Sequence, residues 1–300
     1  MKLSFKEKKS MKSILLKPLN ISLIFVALFA ILLTSCEDSA LIEYKEEFFI
    51  EGFLFVDQPI ENIIVMRSQP ITDTFRYEQS LVRNANVVVR EKNGESFQLQ
   101  TQQTGSRGYF YANKDYLVKP DTEYELEITL PNGNLVTGTT LTPPRSRWLR
   151  TTSNPLQYPS DTASNRRGDT LRWERVSGYP FYVISVRNLD TLNYGKYLNP
   201  PTDELNSRVP RDFGSENIWR DNTSLGLIAN NESPVVWFTF RWFGLHEVSI
   251  FVPDFNMLQW FLQVQSSREY IDLLESVQGN AVGAFGSAYA IRDTVMLLKP

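Results

Sequence analysis

The side chains that most often carry chemistry are scarce in this chain. In 300 residues there is one cysteine, Cys36, and one histidine, His246. A hydrolytic triad, a zinc centre or an imidazole acid/base pair would have to be built on His246 without a second imidazole. His246 stands beside Glu247 in a strand-like run, which points to a structural role. Gly279, Gly283 and Gly286 have neither the spacing of a phosphate loop nor the Lys-Ser/Thr that follows one. No Asp-x-Asp-x-Asp-Gly calcium loop is present. Carboxylates are plentiful, and glycan hydrolysis needs only two of them facing each other at ~5–10 Å. No acidic residue, however, stands out within the apolar runs. Aromatic residues are the richer resource. Trp173, Trp237 and Trp242 fall in strand-like runs and read as core, whereas Trp148, beside a linker, and Trp219, in a long polar stretch, are the candidates for ligand or partner contact. No metal site or soluble cofactor is implied.

The segment around Cys36 says where these residues are delivered. Lys2, Lys6, Lys8, Lys9, Lys12 and Lys17 precede an apolar run, Ile21 to Leu33, interrupted only by Ser22. This is the architecture of an export signal, with either Met1 or Met11 as the start. The run has 13 residues, short of the roughly 20 needed to span the hydrocarbon of a bilayer. Leu33-Thr34-Ser35-Cys36 resembles the lipobox of bacterial lipoproteins. The resemblance implies a diacylglyceryl group on the Cys36 sulfur, cleavage before it, and acylation of the new amino group, for example with palmitate. Several acyl chains hold a protein on a membrane far better than one. Covalent lipid is thus the only prosthetic group expected, and its use of the single thiol leaves neither a disulfide nor a thiol nucleophile. Glu37 and Asp38 resemble the surface-export signal of Bacteroidota lipoproteins. Loss of residues 1–35 removes six lysines and one glutamate and moves the net charge from −3 to −8. Such a chain is repelled by phosphate backbones, which argues against a nucleic-acid partner.

The elements that would position a site are β-strands. Phe48 to Val56, Asn62 to Arg67 and Asn86 to Glu91 are β-branched and aromatic runs. Asn93-Gly94 between two such runs predicts a type I′ hairpin. Tyr124, Leu126, Ile128 and Leu130 alternate with Glu125, Glu127 and Thr129, the period of a strand with one wet face. Pro143-Pro144 closes this module. A second opens with Leu171-Arg172-Trp173 and Tyr182 to Val186, which resemble the B and C strands of fibronectin type III domains, where the tryptophan fills the core between two sheets. Residues 188–234 read as a long polar loop, Val235 to Phe243 and Glu247 to Val252 as two buried strands joined at Gly244. A short helix is expected at about 255–266 behind the cap-like Asp254, a second at 267–276, and a final strand around Asp293 to Leu298.

The expected fold is therefore all-β: an immunoglobulin- or transthyretin-like sandwich, then a fibronectin type III-like one, with a short helix near the C-terminus. The expected division is signal peptide 1–35, acidic tether 36–47, first sandwich 48–142, linker 143–168 and second module 169–300.

With these residues in hand, the chain resembles a Bacteroidota outer-membrane lipoprotein family, domain of unknown function 4249. The resemblance rests on the lipobox with its acidic followers and the strand Phe49-Ile50-Glu51-Gly52-Phe53. It continues through Ala85 to Val89 with its Asn-Gly turn, Gly108-Tyr109-Phe110 and the strand between Pro120 and Pro131, and ends with Ser276 to Asn280 and Val282 to Gly286. It implies a non-enzymatic accessory lipoprotein of a TonB-dependent β-barrel transporter, held in the outer membrane by its acyl chains and facing the cell surface. It brings no catalytic residues. The alternatives are a structural subunit of a cell-surface assembly or adhesin, and a carboxylate-dependent glycan or peptide hydrolase.

Overall fold

The computed structural model describes residues 44–105, 107–160, 169–209, 222–266 and 276–300. Leu33, Thr34, Ser35, Cys36, Glu37, Asp38 and Trp219 lie outside the described residues, as do 267–275, where a second helix is expected.

The described residues are mostly β, arranged in three sheets with one short helix near the C-terminus. Alternation builds the first sheet. Its centre is β5 (Glu123–Thr129), which buries Tyr124, Leu126 and Ile128 and turns Glu125 to solvent. Around it run β3 (Asn86–Glu91), β4 (Ser96–Gln98), β6 (Leu135–Leu141) and β14 (Val277–Gly279), in the order β14-β6-β5-β3-β4. The Asn93-Gly94 hairpin between β3 and β4 forms, but only Asn93 takes a positive φ, at 61°. A type I′ turn needs two such residues, so the connection is a different tight turn, closed by the Gly94 N–H on the Glu91 carbonyl at 3.0 Å.

The large sheet has the order β11-β10-β13-β15-β1-β2. It consists of β1 (Phe48–Phe55), β2 (Ile64–Arg67), β10 (Tyr182–Asn188), β11 (Thr223–Ile228), β13 (Gly244–Pro253) and β15 (Val282–Leu298), with β8 (Leu156–Gln157) added at the end of β15. A third sheet joins β12 (Glu232–Pro234), β9 (Thr170–Trp173) and β7 (Trp148–Arg150).

The spine of the molecule is β15. It pairs parallel with β1 from Phe49↔Val282 to Phe55↔Ala288, then antiparallel with β13 from Pro253↔Ala288 to Gly244↔Leu297. The glycine-bearing segment expected to lead into a final strand is itself the first third of a 17-residue strand. Its glycines are there for close approach rather than for turning. A Cβ on Gly283, whose φ is +144°, would lie 1.9 Å from the Ile50 carbonyl oxygen, and one on Gly286 would lie 2.7 Å from the Met257 backbone nitrogen.

Two hydrophobic cores draw mainly on the odd-numbered face of β15, with Met296 also in the second. Phe285 belongs to the first, with Ile50, Leu54, Val89 and Leu126. Ile291, Val295 and Leu297 belong to the second, with Trp173, Ile184 and Ile250. The expected boundary at 143–168 is therefore crossed. Between β1 and β13 the unpaired edges of both strands find their hydrogen-bond partners on β15, and residues 46–300 form one compact unit. The segment 143–168 also carries β7 and β8 rather than serving only as a connector.

Two further segments differ from expectation. Within 188–234 lie β11 and β12, and Val235 to Phe243 is not a strand: Trp237–Thr239 is a turn of 3-10 helix. Its buried residues Val235, Trp237, Phe240 and Phe243 follow no period of 2, because the segment plugs the second core instead of lying in a sheet.

Candidate functional site

Strand β13 ends at Pro253, and Asp254 leads into α2 (Phe255–Ser266); the earlier α1 is a single turn, Tyr77–Ser80. Asp254 Oδ1 accepts the Met257 N–H at 2.8 Å, the bond of an N-cap residue. The same oxygen accepts the Ser287 N–H at 3.0 Å, and Oδ2 is 2.6 Å from the Thr140 hydroxyl. Thr140 Oγ1 also contacts the Ser287 hydroxyl at 2.7 Å. One carboxyl thus ties together β6, β15 and the start of α2. Asn256 repeats the tie, donating from Nδ2 to the carbonyls of Thr139 at 2.8 Å and Phe285 at 2.9 Å. Burial pushes the Asp254 carboxyl above the usual carboxylate range, against the pull of the Ser287 N–H, the Thr140 hydroxyl and the Met257 and Asn256 N–H groups.

Above this knot opens a cleft of about 720 Å³, within the size range of small-ligand sites, roughly 300–1,000 Å³. Its walls come from the end of β6 (Thr139 to Leu141), the β9–β10 turn (Gly178 to Phe181) and the start of α2 (Pro253 to Leu258), with Glu123 at one rim. The turn projects because Gly178 sits at φ +84°, a conformation a residue with a Cβ rarely adopts. Tyr179, Pro180, Phe181 and Phe255 give the cleft a stacking surface, and Phe255 is 68% exposed. The Tyr179 hydroxyl is raised above its ordinary pKa by burial and then by the carboxylates of Asp254 and Asp121, so it stays a neutral hydrogen-bonding group. Glu123 is held by Lys92 at 2.7 Å. Both acids of the cleft are thus already engaged, one by backbone and hydroxyl donors and one by a lysine.

The residues singled out in the sequence lie elsewhere. His246 is buried in β13. Its Nδ1 is 2.8 Å from the Gly244 carbonyl, which can only accept, so Nδ1 carries the hydrogen and Nε2 keeps its lone pair toward the Asn188 amide at 3.4 Å. Burial lowers its pKa to about 4, and the ring is neutral and structural. Trp148 turns inward: its ring meets Trp173 edge-on at 6.3 Å and its indole nitrogen is buried. Trp173 lies between sheets as the fibronectin-like pattern predicts, edge-on to Tyr182 at 5.3 Å. Trp242, read as core, is half-buried and stacks with Arg208 at 4.6 Å. Among the described residues no group of three or more His, Cys, Asp or Glu is placed to hold a metal ion, and no helix is long and apolar enough to cross a membrane.

Sequence reasoning marked Asp254 only as a helix cap. The residues that make the cleft are spread over more than 100 positions, and a cap, a turn and a strand end carry no sign of their neighbours. The family model for a domain of unknown function, DUF4249, matches residues 38–251. The chain belongs to this family. The part matched to DUF4249 contains two walls of the cleft, β6 and the β9–β10 turn, and ends three residues before Asp254; the closing segment Ser276 to Gly286 lies beyond it. No curated protein matches this DUF4249 chain.

Proposed function

We propose that this DUF4249 protein is a surface-exposed outer-membrane lipoprotein, acylated at Cys36, that serves as a non-enzymatic binding subunit of a TonB-dependent β-barrel transporter. The observation that carries the binding reading is the junction cleft. It is preformed, of ligand size and rich in aromatic side chains; its buried carboxyl, Asp254, is engaged in holding the fold, and its rim carboxyl, Glu123, pairs with Lys92. A carboxylate hydrolase needs one acid free to protonate a leaving group and a second free to act as nucleophile or base. An aromatic cleft with a few polar groups suits recognition of an extended peptide segment, here one presented by the barrel. The lipobox Leu33 to Cys36, with Glu37 and Asp38, supports the location.

The test is affinity purification of the acylated protein from outer membranes in mild detergent. A TonB-dependent barrel should co-purify, and the double variant Phe181→Ser/Phe255→Ser should reduce its recovery several-fold while leaving the amount of folded lipoprotein unchanged. Recovery without any barrel, or recovery indifferent to the two substitutions, counts against the reading.

A further inference from the structure

The loop between β2 and β3 carries an apolar tip that the fold does not use. Ile71 is 102% exposed and Phe75 65% exposed. Neither belongs to a core. The loop is nonetheless braced at its base: Gln69 donates from Nε2 to the Arg76 carbonyl at 2.8 Å and accepts the Arg76 N–H on Oε1 at 3.1 Å. Inside the clamp the Asp73 N–H donates to the Pro70 carbonyl at 2.9 Å, closing a turn. Two large apolar side chains are thus presented to solvent by an ordered scaffold, at a cost that folding does not recover.

The position of this tip matters more than its composition. The loop begins at Ser68, directly beside the point where the chain enters the fold. The Ser68 N–H donates to the Glu47 carbonyl at 2.8 Å, the Glu47 N–H donates to Ser68 Oγ at 3.0 Å, and Arg67 pairs with Glu46 at 3.3 Å. The chain back from Glu46 to Cys36 reaches at most about 35 Å when fully extended. From the lipobox reading, the acyl chains on Cys36 therefore keep this end of the unit near the bilayer. Asp73 and Arg76 beside the tip bring one charge of each sign, so the loop has no net repulsion from a lipid surface.

We infer that the loop from Gln69 to Tyr77 is a second membrane contact, seating Ile71 and Phe75 among the lipid headgroups of the bilayer that holds Cys36. The inference rests on the lipoprotein reading above. An acyl anchor alone leaves the body free to swing on its tether. A weakly inserted apolar tip at the same end adds a second attachment, the combination that gives stable peripheral binding, and sets which way the junction cleft faces.

An exposed residue at the far end gives the control. Leu205 is 72% exposed, and its carbonyl accepts from Lys299 Nζ at 3.1 Å, just beyond the end of β15. The start of β15 pairs with Phe49, beside the tether. At ~3.3 Å per residue the strand puts roughly 50 Å between the two ends, farther than the tether reaches.

The experiment uses the full lipoprotein in phosphatidylethanolamine/phosphatidylglycerol vesicles. Acylation blocks the Cys36 sulfur, so Ile71→Cys, Phe75→Cys or Leu205→Cys supplies the sole free thiol for an environment-sensitive fluorophore. Spin-labelled lipid should quench most of the emission at positions 71 and 75 and leave position 205 unchanged. Mass spectrometry of Cys36 separates the two readings. Acylated protein with no quenching at 71 and 75 overturns the loop contact and leaves the lipoprotein reading standing, and unacylated Cys36 overturns both. Equal quenching at 205 also overturns the contact. So does a photoreactive group at position 71 that captures protein rather than lipid in outer membranes.

Discussion

The core beneath the five-stranded sheet and the core beneath the three-stranded sheet are built against the same strand, β15, yet of different materials. The first packs alternating Val, Leu, Ile and Tyr residues of its strands with loop residues such as Ile60, Tyr109 and Val118. Its buried hydroxyls have partners: Tyr109 donates to the Val82 carbonyl at 3.0 Å and accepts the Ala85 N–H at 3.0 Å, and Tyr116 and Tyr124 share a 2.7 Å bond. The second core combines strand residues of β9, β10, β13 and β15 with the irregular plug 235–243. Among its side chains, Trp148, Trp173 and Trp237 each hold a buried indole nitrogen without a hydrogen-bond partner. An unsatisfied buried donor costs about 1–3 kcal/mol. The two halves thus share a backbone spine but differ in polar satisfaction: among the described residues the buried tyrosine hydroxyls of the first have partners, and the second carries three unpartnered indole donors.

The sharpest way to break this comparison is at the shared spine. Gly283→Ala places a methyl group against the Ile50 backbone at a φ of +144°, and its cost should exceed about 4 kcal/mol, the level at which a substitution marks a specific structural failure. Hydrogen exchange should lose protection in both cores together. Loss confined to the first core would show that β15 does not couple them.

Next in size is Trp173→Ala, which empties the centre of the second core and should cost about 3–5 kcal/mol by denaturant unfolding. Trp173→Phe keeps one ring and also removes the orphaned indole N–H, so the gain from losing that donor should offset most of the lost ring volume and its cost should stay below about 2 kcal/mol. A larger cost for Trp173→Phe would mean the polar deficit is not real.

The smallest effect is a pH dependence confined to the second half. His246 has a folded pKa of about 4 against an unfolded value of ~6.5. The folded state therefore resists protonation. Its contribution is complete above pH ~6.5 and is lost as pH falls toward the folded value, by up to about 3 kcal/mol. His246→Asn, whose amide can still donate to Gly244, should flatten the stability profile between pH 6.5 and 4 relative to the parent. An unchanged slope would contradict the neutral, buried histidine.

The same contrast explains what could be read from the chain alone. Strand β5 was legible because one face is wet, and period 2 shows wherever burial is one-sided. The helix after Asp254 was legible from its cap and spacing. The spine is not: the segment Val282 to Ser287 reads as leading into a strand near 293–298 rather than as its first part, and the smallness of Gly283 and Gly286 answers to Ile50 and Met257, which lie far away in sequence. The plug 235–243 reads as a strand because a run broken only by Thr239 and Arg241 has too little period to distinguish strand from core-filling coil. The cleft was invisible for the reason that hid the spine. Thr140, Tyr179 and Asp254 meet only through tertiary structure.

The account turns on that cleft being the surface that engages a transporter, and site-specific photocrosslinking in intact cells tests it most directly. A photoreactive residue at Phe181 or Phe255 should capture a TonB-dependent barrel, while one at the exposed edge residue Leu225 should not. Capture from Leu225 alone, or no barrel from any of the three positions, would contradict it.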